Sequence, residues 1–324
     1  MPLDADIIVD RRRMRRKLTF WRVTAVVVAV LAVAAAVARY GPGRALLSPG
    51  GSIARITIQG IIRGNSDRVA ALDRLSQSSA LAVIVHVDSP GGTTAGSEQL
   101  FDALRRLHAK KPMVVVVDGL AASGAYIAAM SADHIIALDT SLVGSIGVLF
   151  QYPNFTDVLK TLGIKVEEVK STPLKAAPNG FEPTSPEARA AIAALVMDSY
   201  AWFKDMVKDR RHLDDGQLAK VVDGRVFTGR QAIDLKLIDG LGNEKDALAW
   251  LESEKKVPVD TPVRDYSLQP RFSELSFLHV AAWTFDAVGL SAFARRIEAW
   301  SAVQAVERLN LDGLLALWHP ASTN

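Results

Sequence analysis

Two runs, LAVIVHVD at residues 81–88 and MVVVVD at residues 113–118, are apolar at nearly every position up to a closing aspartate. A strand with one wet face alternates in polarity, so strands like these must be covered on both faces. The neighbouring stretches DRVAALDRLSQ and residues 95–109 carry apolar residues at helical period, and the run SIARITIQGII before them is strand-like. This succession restricts the chain to an α/β fold in which layers of parallel sheet are covered by helices. Ligands of such sheets gather beyond the carboxyl ends of the strands. Two stretches of small residues fall there, DSPGGTT after Val87 and DGLAASGA after Val117.

The 324 residues are 49% hydrophobic and contain no cysteine, which excludes fibrous, disordered and disulfide-framed classes as well as thiol catalysis and thiolate metal sites. A sequence pI near 9.1 invites a nucleic-acid reading. The excess, however, is local: residues 1–44 carry +6, leaving about −3 for the rest of a chain whose net charge is +3. No nucleic-acid partner is expected. The cationic block precedes an uncharged apolar run, Val23 to Ala38, that spans about 24 Å as a helix and reaches across a bilayer with snorkelling arginines at its ends. It reads as a retained single-pass anchor with residues 1–22 in the cytoplasm and the body outside, a cleaved signal peptide being the alternative. The expected division is a linker at 39–52, a catalytic domain at 53–257 and a linker with a helical extension at 258–324. In the extension, Phe293, Ile297, Trp300 and Val303 form an apolar stripe.

The Pro-Gly-Gly turn Pro90 to Gly92 could be an ordinary connection, or its backbone N–H groups could face a developing oxyanion. Ser123, in DGLAASGAYIAAM, could cap a helix or act as a nucleophile, with its own N–H as a second oxyanion donor. A nucleophile needs a base. The histidines lie in strand-like runs, charged helices or the tail, and no HExxH metal motif occurs. A lysine can serve if it is neutral, which takes about 4–5 kcal/mol of desolvation. Lys175 has Leu174, Ala176 and Ala177 as neighbours, whereas Lys165 and Lys170 flank the acidic VEEV. A solvated surface lysine is the alternative at Lys175.

The ordered set DSPGG, GLAASGAYIAA, SLVGSIGV, VKSTPLKAAPNGFEPTSPEAR and GRVFTGRQAIDLKLIDGLG, across residues 53–251, resembles the signal peptide peptidase A family of membrane-bound serine proteases. The resemblance implies a fold of the Clp-protease and crotonase type and a Ser/Lys dyad. It puts the nucleophile on Ser123, the general base on Lys175, and on Ser145 the hydroxyl that orients the lysine. It puts the oxyanion turn on Gly91 and Gly92, with Gly92 the donor. Pro173 and Pro178 stand where Gly or polar residues are expected. Further implications are a homo-oligomeric ring in which serine and lysine meet across a protomer boundary, no metal or cofactor, and remnant signal peptides or other apolar extended peptides as substrates. The site of action would be the bacterial inner membrane, with the catalytic domain on the periplasmic side. Two other readings share parts of this pattern: a crotonase-like acyl-CoA enzyme, and a catalytically silent membrane scaffold.

Overall fold

The structure is a computed structural model that describes residues 51–268, the segment 315–317 and four helical positions, 17, 20, 21 and 24. The expected membrane span 23–38 lies outside the described residues except for Thr24, as do the linker up to residue 50 and the apolar stripe from Phe293 to Val303. Among the described residues no helix is long and apolar enough to cross a membrane. The chain divides into two compact units, residues 1–51 and 52–324.

Strand β1 (Ile53–Gln59) leads to helix α1 (Ser66–Ser76), then β2 (Ala82–Ser89), the short β3 (Gly91–Thr93), α2 (Thr94–His108) and β4 (Met113–Ala122). After α3 (Gly124–Ala129) come β5 (His134–Ala137), β6 (Leu142–Gly144), α4 (Thr156–Thr161) and the long α5 (Pro186–Arg211). The domain continues through α6 (Asp215–Leu218), β7 (Val226–Thr228), α7 (Gly229–Asp234), β8 (Gly240–Leu241), α8 (Glu244–Lys255) and β9 (Val263–Asp265), and β10 (Leu315–Leu317) follows in the tail. The main sheet has the order β7-β6-β4-β2-β1-β9, with β5 between β4 and β8, and its pairings are parallel apart from β6 with β7.

Strands β2 and β4 lack alternation because two cores claim their two faces. Val83, Val85, Val87, Val115 and Val117 join α1, α2 and α3 in one core. Ala82, Ile84, Val114 and Val116 join Ile53, Ile136 and the α8 residues Ala247 and Leu251 in the other. Burying each such valine, leucine or isoleucine is worth about 1.5–3 kcal/mol, which is what holds the layers together. Helix starts follow local chemistry: the Asn65 side chain caps α1, Thr93 caps α2, and Ser185 caps α5 with Pro186 in its first turn.

Three elements depart from the sequence expectation. Strand β4 runs on through Leu120–Ala122 to pair with β6, past Asp118 where the apolar run closes. Residues 263–265, expected in a linker, add an edge strand parallel to β1, with the Tyr266 N–H held by the Arg55 carbonyl at 2.7 Å. Residues 315–317, expected within a helical extension, form a strand that pairs antiparallel with β3. Each of these short segments depends on a partner distant in sequence, so no local periodicity announces it.

Candidate active site

The chain passes from β4 into α3 through Ser123, whose backbone sits at φ 55° and ψ −117°. That region is sparsely populated for a residue with a Cβ and costs about 1–3 kcal/mol, so the surrounding packing must impose it. Ala121, Ala122, Ala125 and Tyr126 are fully buried around it, and Ser123 itself is only 1% exposed. Although Ser123 occupies the cap position of α3, its side chain makes no capping hydrogen bond. The Oγ instead donates at long range, 3.4 Å, to the Gly147 carbonyl. The structure therefore removes the helix-cap explanation of this serine.

The neighbouring strand β6 ends beside it. Ala122 is in register with Gly144, and Ser145 follows, so the two serines stand at the ends of adjacent parallel strands. Ser145 is nearly buried at 8% exposure and also has a positive φ of 51°; its N–H donates to the Arg225 carbonyl at 2.8 Å. At one atom the arrangement differs from the expectation. The Ser123 N–H, expected to face an oxyanion, donates to the Gly144 carbonyl at 2.7 Å and is occupied as a sheet hydrogen bond.

On the other side of α3, and packed next to it, lies β3. Ser89, fully buried, shapes this turn: its Oγ donates to the Gly60 carbonyl at 2.6 Å and accepts from the Gly91 N–H at 3.1 Å. The Gly91 carbonyl accepts from the Ile62 N–H at 2.8 Å, and the Thr93 N–H donates to the Ile62 carbonyl at 2.9 Å. Because successive peptide groups of a strand point to opposite edges, the Gly92 N–H and C=O are left facing away from Ile62. Gly91 has spent its N–H on Ser89, which leaves Gly92 as the amide directed outward. A Cβ at residue 92 would come within 1.7 Å of the Ile62 carbonyl oxygen, so only glycine fits. Ser89 was not singled out from sequence, because a serine inside a Pro-Gly-Gly turn carries no local mark of this role.

Lys175 is exposed in a loop whose backbone turns through Lys175 N–H to Thr172 C=O at 3.0 Å. Within one protomer no hydrogen bond joins it to Ser123 or Ser145, so the structure brings together Ser123, Ser145 and the Gly91–Gly92 turn but not the lysine. Two other lysines can be set aside. Lys170 pairs with Glu168 at 2.7 Å and with Glu182, and these hydrogen bonds hold its ammonium above the usual lysine range. Lys111 is pushed down, first by burial and then by Lys110, but it donates to the Ser78 and Ala80 carbonyls at the opposite end of the sheet, before the start of β4.

Two His–Asp pairs exist that sequence reasoning did not anticipate: His108 Nε2 meets Asp133 at 2.8 Å just before β5 begins, at the far end of the sheet from Ser123, and the other lies on β2. His86 Nδ1 meets the Asp118 carboxylate at 2.9 Å while its Nε2 meets Glu244 at 2.7 Å, and Glu244 also accepts from Arg55 Nη2 at 2.6 Å. By strand alternation His86 shares the face of Ile84, under α8, whereas Ser123 opens α3 in the other core. With both ring nitrogens engaged by carboxylates, this imidazole has no free site for a serine proton. Among the described residues no cluster of His, Asp and Glu suits a metal ion.

Two family models match the chain. The Clp protease profile matches residues 48–143, which hold both small-residue stretches, and that of peptidase family S49 matches residues 105–258, which include Ser123, Ser145 and Lys175. A putative protease of Synechocystis sp. is 34% identical over 216 residues, covering 64% of this chain and 78% of the relative. A putative signal peptide peptidase of Enterococcus faecium is 31% identical over 199 residues, or 60% of this chain and 57% of the relative. Among solved structures, a membrane-bound stomatin-specific protease covers 68% of this chain and 99% of its own at 15% identity, with a TM-score of 0.42. By the S49 match and these relatives, the chain belongs to the signal peptide peptidase A family, peptidase family S49, and is a serine-type peptidase.

Proposed function

We propose that the protein is a membrane-anchored endopeptidase that cleaves remnant signal peptides and other apolar extended peptides with a Ser123/Lys175 dyad completed between protomers. The observation that carries this reading is the strained, buried Ser123 with an uncapping hydroxyl, next to Ser145 and the outward amide of Gly92. Lys175 accepts the Ser123 proton as the oxygen attacks a peptide carbonyl, and a dry setting between protomers favours the neutral amine this requires. Ser145 orients the lysine. The Gly92 N–H stabilises the tetrahedral oxyanion, and the second donor is the Gly124 N–H, which as the first residue of α3 has no intrahelical acceptor. The protonated lysine then hands its proton to the departing amine, and water, deprotonated by the same lysine, releases the acyl group from Ser123.

Oligomerisation is supported by the segment between β6 and α5. Val158, Leu162, Ile164, Val169, Leu174 and Phe181 are all exposed in the single protomer, an apolar surface of the kind that marks a protein interface. Lys175 sits within it. The anchor is the run 23–38, and the cationic flank on its N-terminal side supports a catalytic domain on the periplasmic side of a bacterial inner membrane.

The test is hydrolysis of a fluorogenic, signal-peptide-like peptide by the full chain in detergent. Ser123→Ala and Lys175→Ala should each lower kcat/KM by at least about 10³-fold while the oligomer survives. Hydrolysis that persists in both variants, or turnover of an acyl-CoA in place of the peptide, would overturn the reading.

A further inference from the structure

Lys175 stands in a stretch of chain with little core to hold it. Every residue from 147 to 187 is at least partly exposed, so the burial of apolar side chains does little to fix the loop that carries this lysine. The turn itself has two backbone hydrogen bonds, Lys175 N–H to the Thr172 carbonyl at 3.0 Å and Ala177 N–H to the Leu174 carbonyl at 3.2 Å. Between them Ala176 is held at φ 58°, in the left-handed region that favours glycine. A contact from outside the turn must impose that conformation.

The side chain of Asn179 supplies it. Its Oδ1 accepts from the N–H groups of Phe181 at 2.9 Å and Glu182 at 3.2 Å. Its Nδ2 donates to the Ala176 carbonyl at 3.3 Å, to Glu182 Oε1 at 3.0 Å and, at longer range, to Glu168 Oε1 at 3.4 Å. Donors on one side and acceptors on the other permit a single orientation of the amide, and neither a carboxylate nor an aliphatic side chain of the same size can make the whole set. The two glutamates are held in turn by Lys170, which pairs with Glu168 Oε2 at 2.7 Å and with Glu182. The Gly180 carbonyl accepts from the Phe155 N–H at 2.8 Å and ties the same stretch to the residue before α4. Asn179 thus fastens the residue after the lysine to two earlier pieces of chain, around residues 155 and 168–170.

We propose that Asn179 is a positioning residue for the general base: through the Ala176 carbonyl it fixes the turn 172–177, and with it the place from which Lys175 reaches the serine of a neighbouring protomer. The inference rests on the Ser123/Lys175 reading. A lysine side chain is long and flexible, so the accuracy with which its amine meets a hydroxyl depends on where its backbone is held. Displacing a reacting group by about 1 Å costs on the order of 10²-fold in rate. Asn179 acts through the backbone of the lysine and not on the peptide, so its loss belongs to kcat and leaves KM alone.

The test uses the full chain in detergent and the same fluorogenic peptide, with the assembled fraction followed by analytical ultracentrifugation. Asn179→Ala is expected to lower kcat about 10- to 100-fold, with KM within about twofold and assembly unchanged. A second variant exchanges an amide and a carboxylate, Asn179→Asp with Glu182→Gln. Net charge, the acceptor for the Phe181 and Glu182 N–H groups and an oxygen partner for Lys170 all remain, but the Ala176 carbonyl loses its donor. The exchanged pair is expected to assemble and to show the same fall in kcat.

A wild-type kcat in either variant overturns the inference while leaving the peptidase reading intact. So does a rise in KM at constant kcat, which would place Asn179 at the peptide, or loss of the oligomer in both variants, which would make it a residue of the fold alone. Hydrolysis that survives Lys175→Ala, or is absent from the unsubstituted chain, marks failure of the dyad reading instead, because no base is then left to position.

Discussion

At the scale of single residues, the site depends on backbone geometry that its side chains do not advertise. Gly92 is required not for a positive φ but for room, since the Ile62 carbonyl lies 1.7 Å from where a Cβ would stand. Gly92→Ala must push β3 off Ile62, and a loss of at least about 3 kcal/mol is expected in urea unfolding. Gly64→Ala is the control: its added methyl would meet only the Gln99 Oε1, at 3.8 Å, and stability should stay within about 0.5 kcal/mol. Ser89 is a positioning residue for the same turn. Ser89→Ala leaves the Gly91 N–H unmatched in a buried setting, which should lower kcat about 10- to 100-fold with KM little changed. Restoration by Ser89→Thr, but not by Ser89→Val, would separate the hydroxyl's role from packing.

At the scale of elements, α8 is attached to the sheet in two ways. Ala247 and Leu251 bury into the second core, and at its start Glu244 bridges Arg55 of β1 and His86 of β2. Hydrogen bonding from Arg55, against the cost of burial and with help from His86, holds the Glu244 carboxyl below its ordinary range. A depressed carboxyl stabilises the fold at pH above its unfolded value, and that contribution is lost as pH falls through the folded value. The melting temperature should therefore drop as pH is lowered below about 4.5, and Glu244→Gln should flatten this limb while lowering the neutral-pH melting temperature by about 2–6 °C. Differential scanning calorimetry across pH 3 to 7 checks both; an acid limb of the same steepness in the variant would remove Glu244 from the account. Leu251→Ala, a fully buried truncation, should cost about 2–5 kcal/mol independently of pH.

At the scale of the molecule, one protomer holds Ser123 and the Gly91–Gly92 turn yet leaves Lys175 exposed. A dyad shared between neighbours makes a specific prediction: the two inactive variants, Ser123→Ala and Lys175→Ala, regain partial activity when they are dissociated and reassembled together, because some interfaces then join an intact serine to an intact lysine. A dyad within one protomer yields no recovery. Leu162→Asp, at an exposed apolar position of the same segment, should reduce the assembled fraction in analytical ultracentrifugation and reduce activity in proportion.

Much of this was open to inspection in the chain itself. The double-sided apolar strands required a covered parallel sheet, because two buried faces leave no polar positions to alternate. The ordered small-residue motifs identified the family and nominated Ser123, Ser145, Lys175 and the glycine turn, since tight turns and close approaches demand particular residue types wherever they occur. What only the tertiary structure decided are contacts between segments far apart in the chain. It engaged the Ser123 amide with Gly144 and aimed that of Gly92 outward, and it joined His86 to Glu244 across 158 positions. It also laid Leu315–Leu317 along the edge of β3. Strand pairing and ion pairing are made by whatever the fold carries into reach, and reach is a property of the folded chain, not of neighbouring letters.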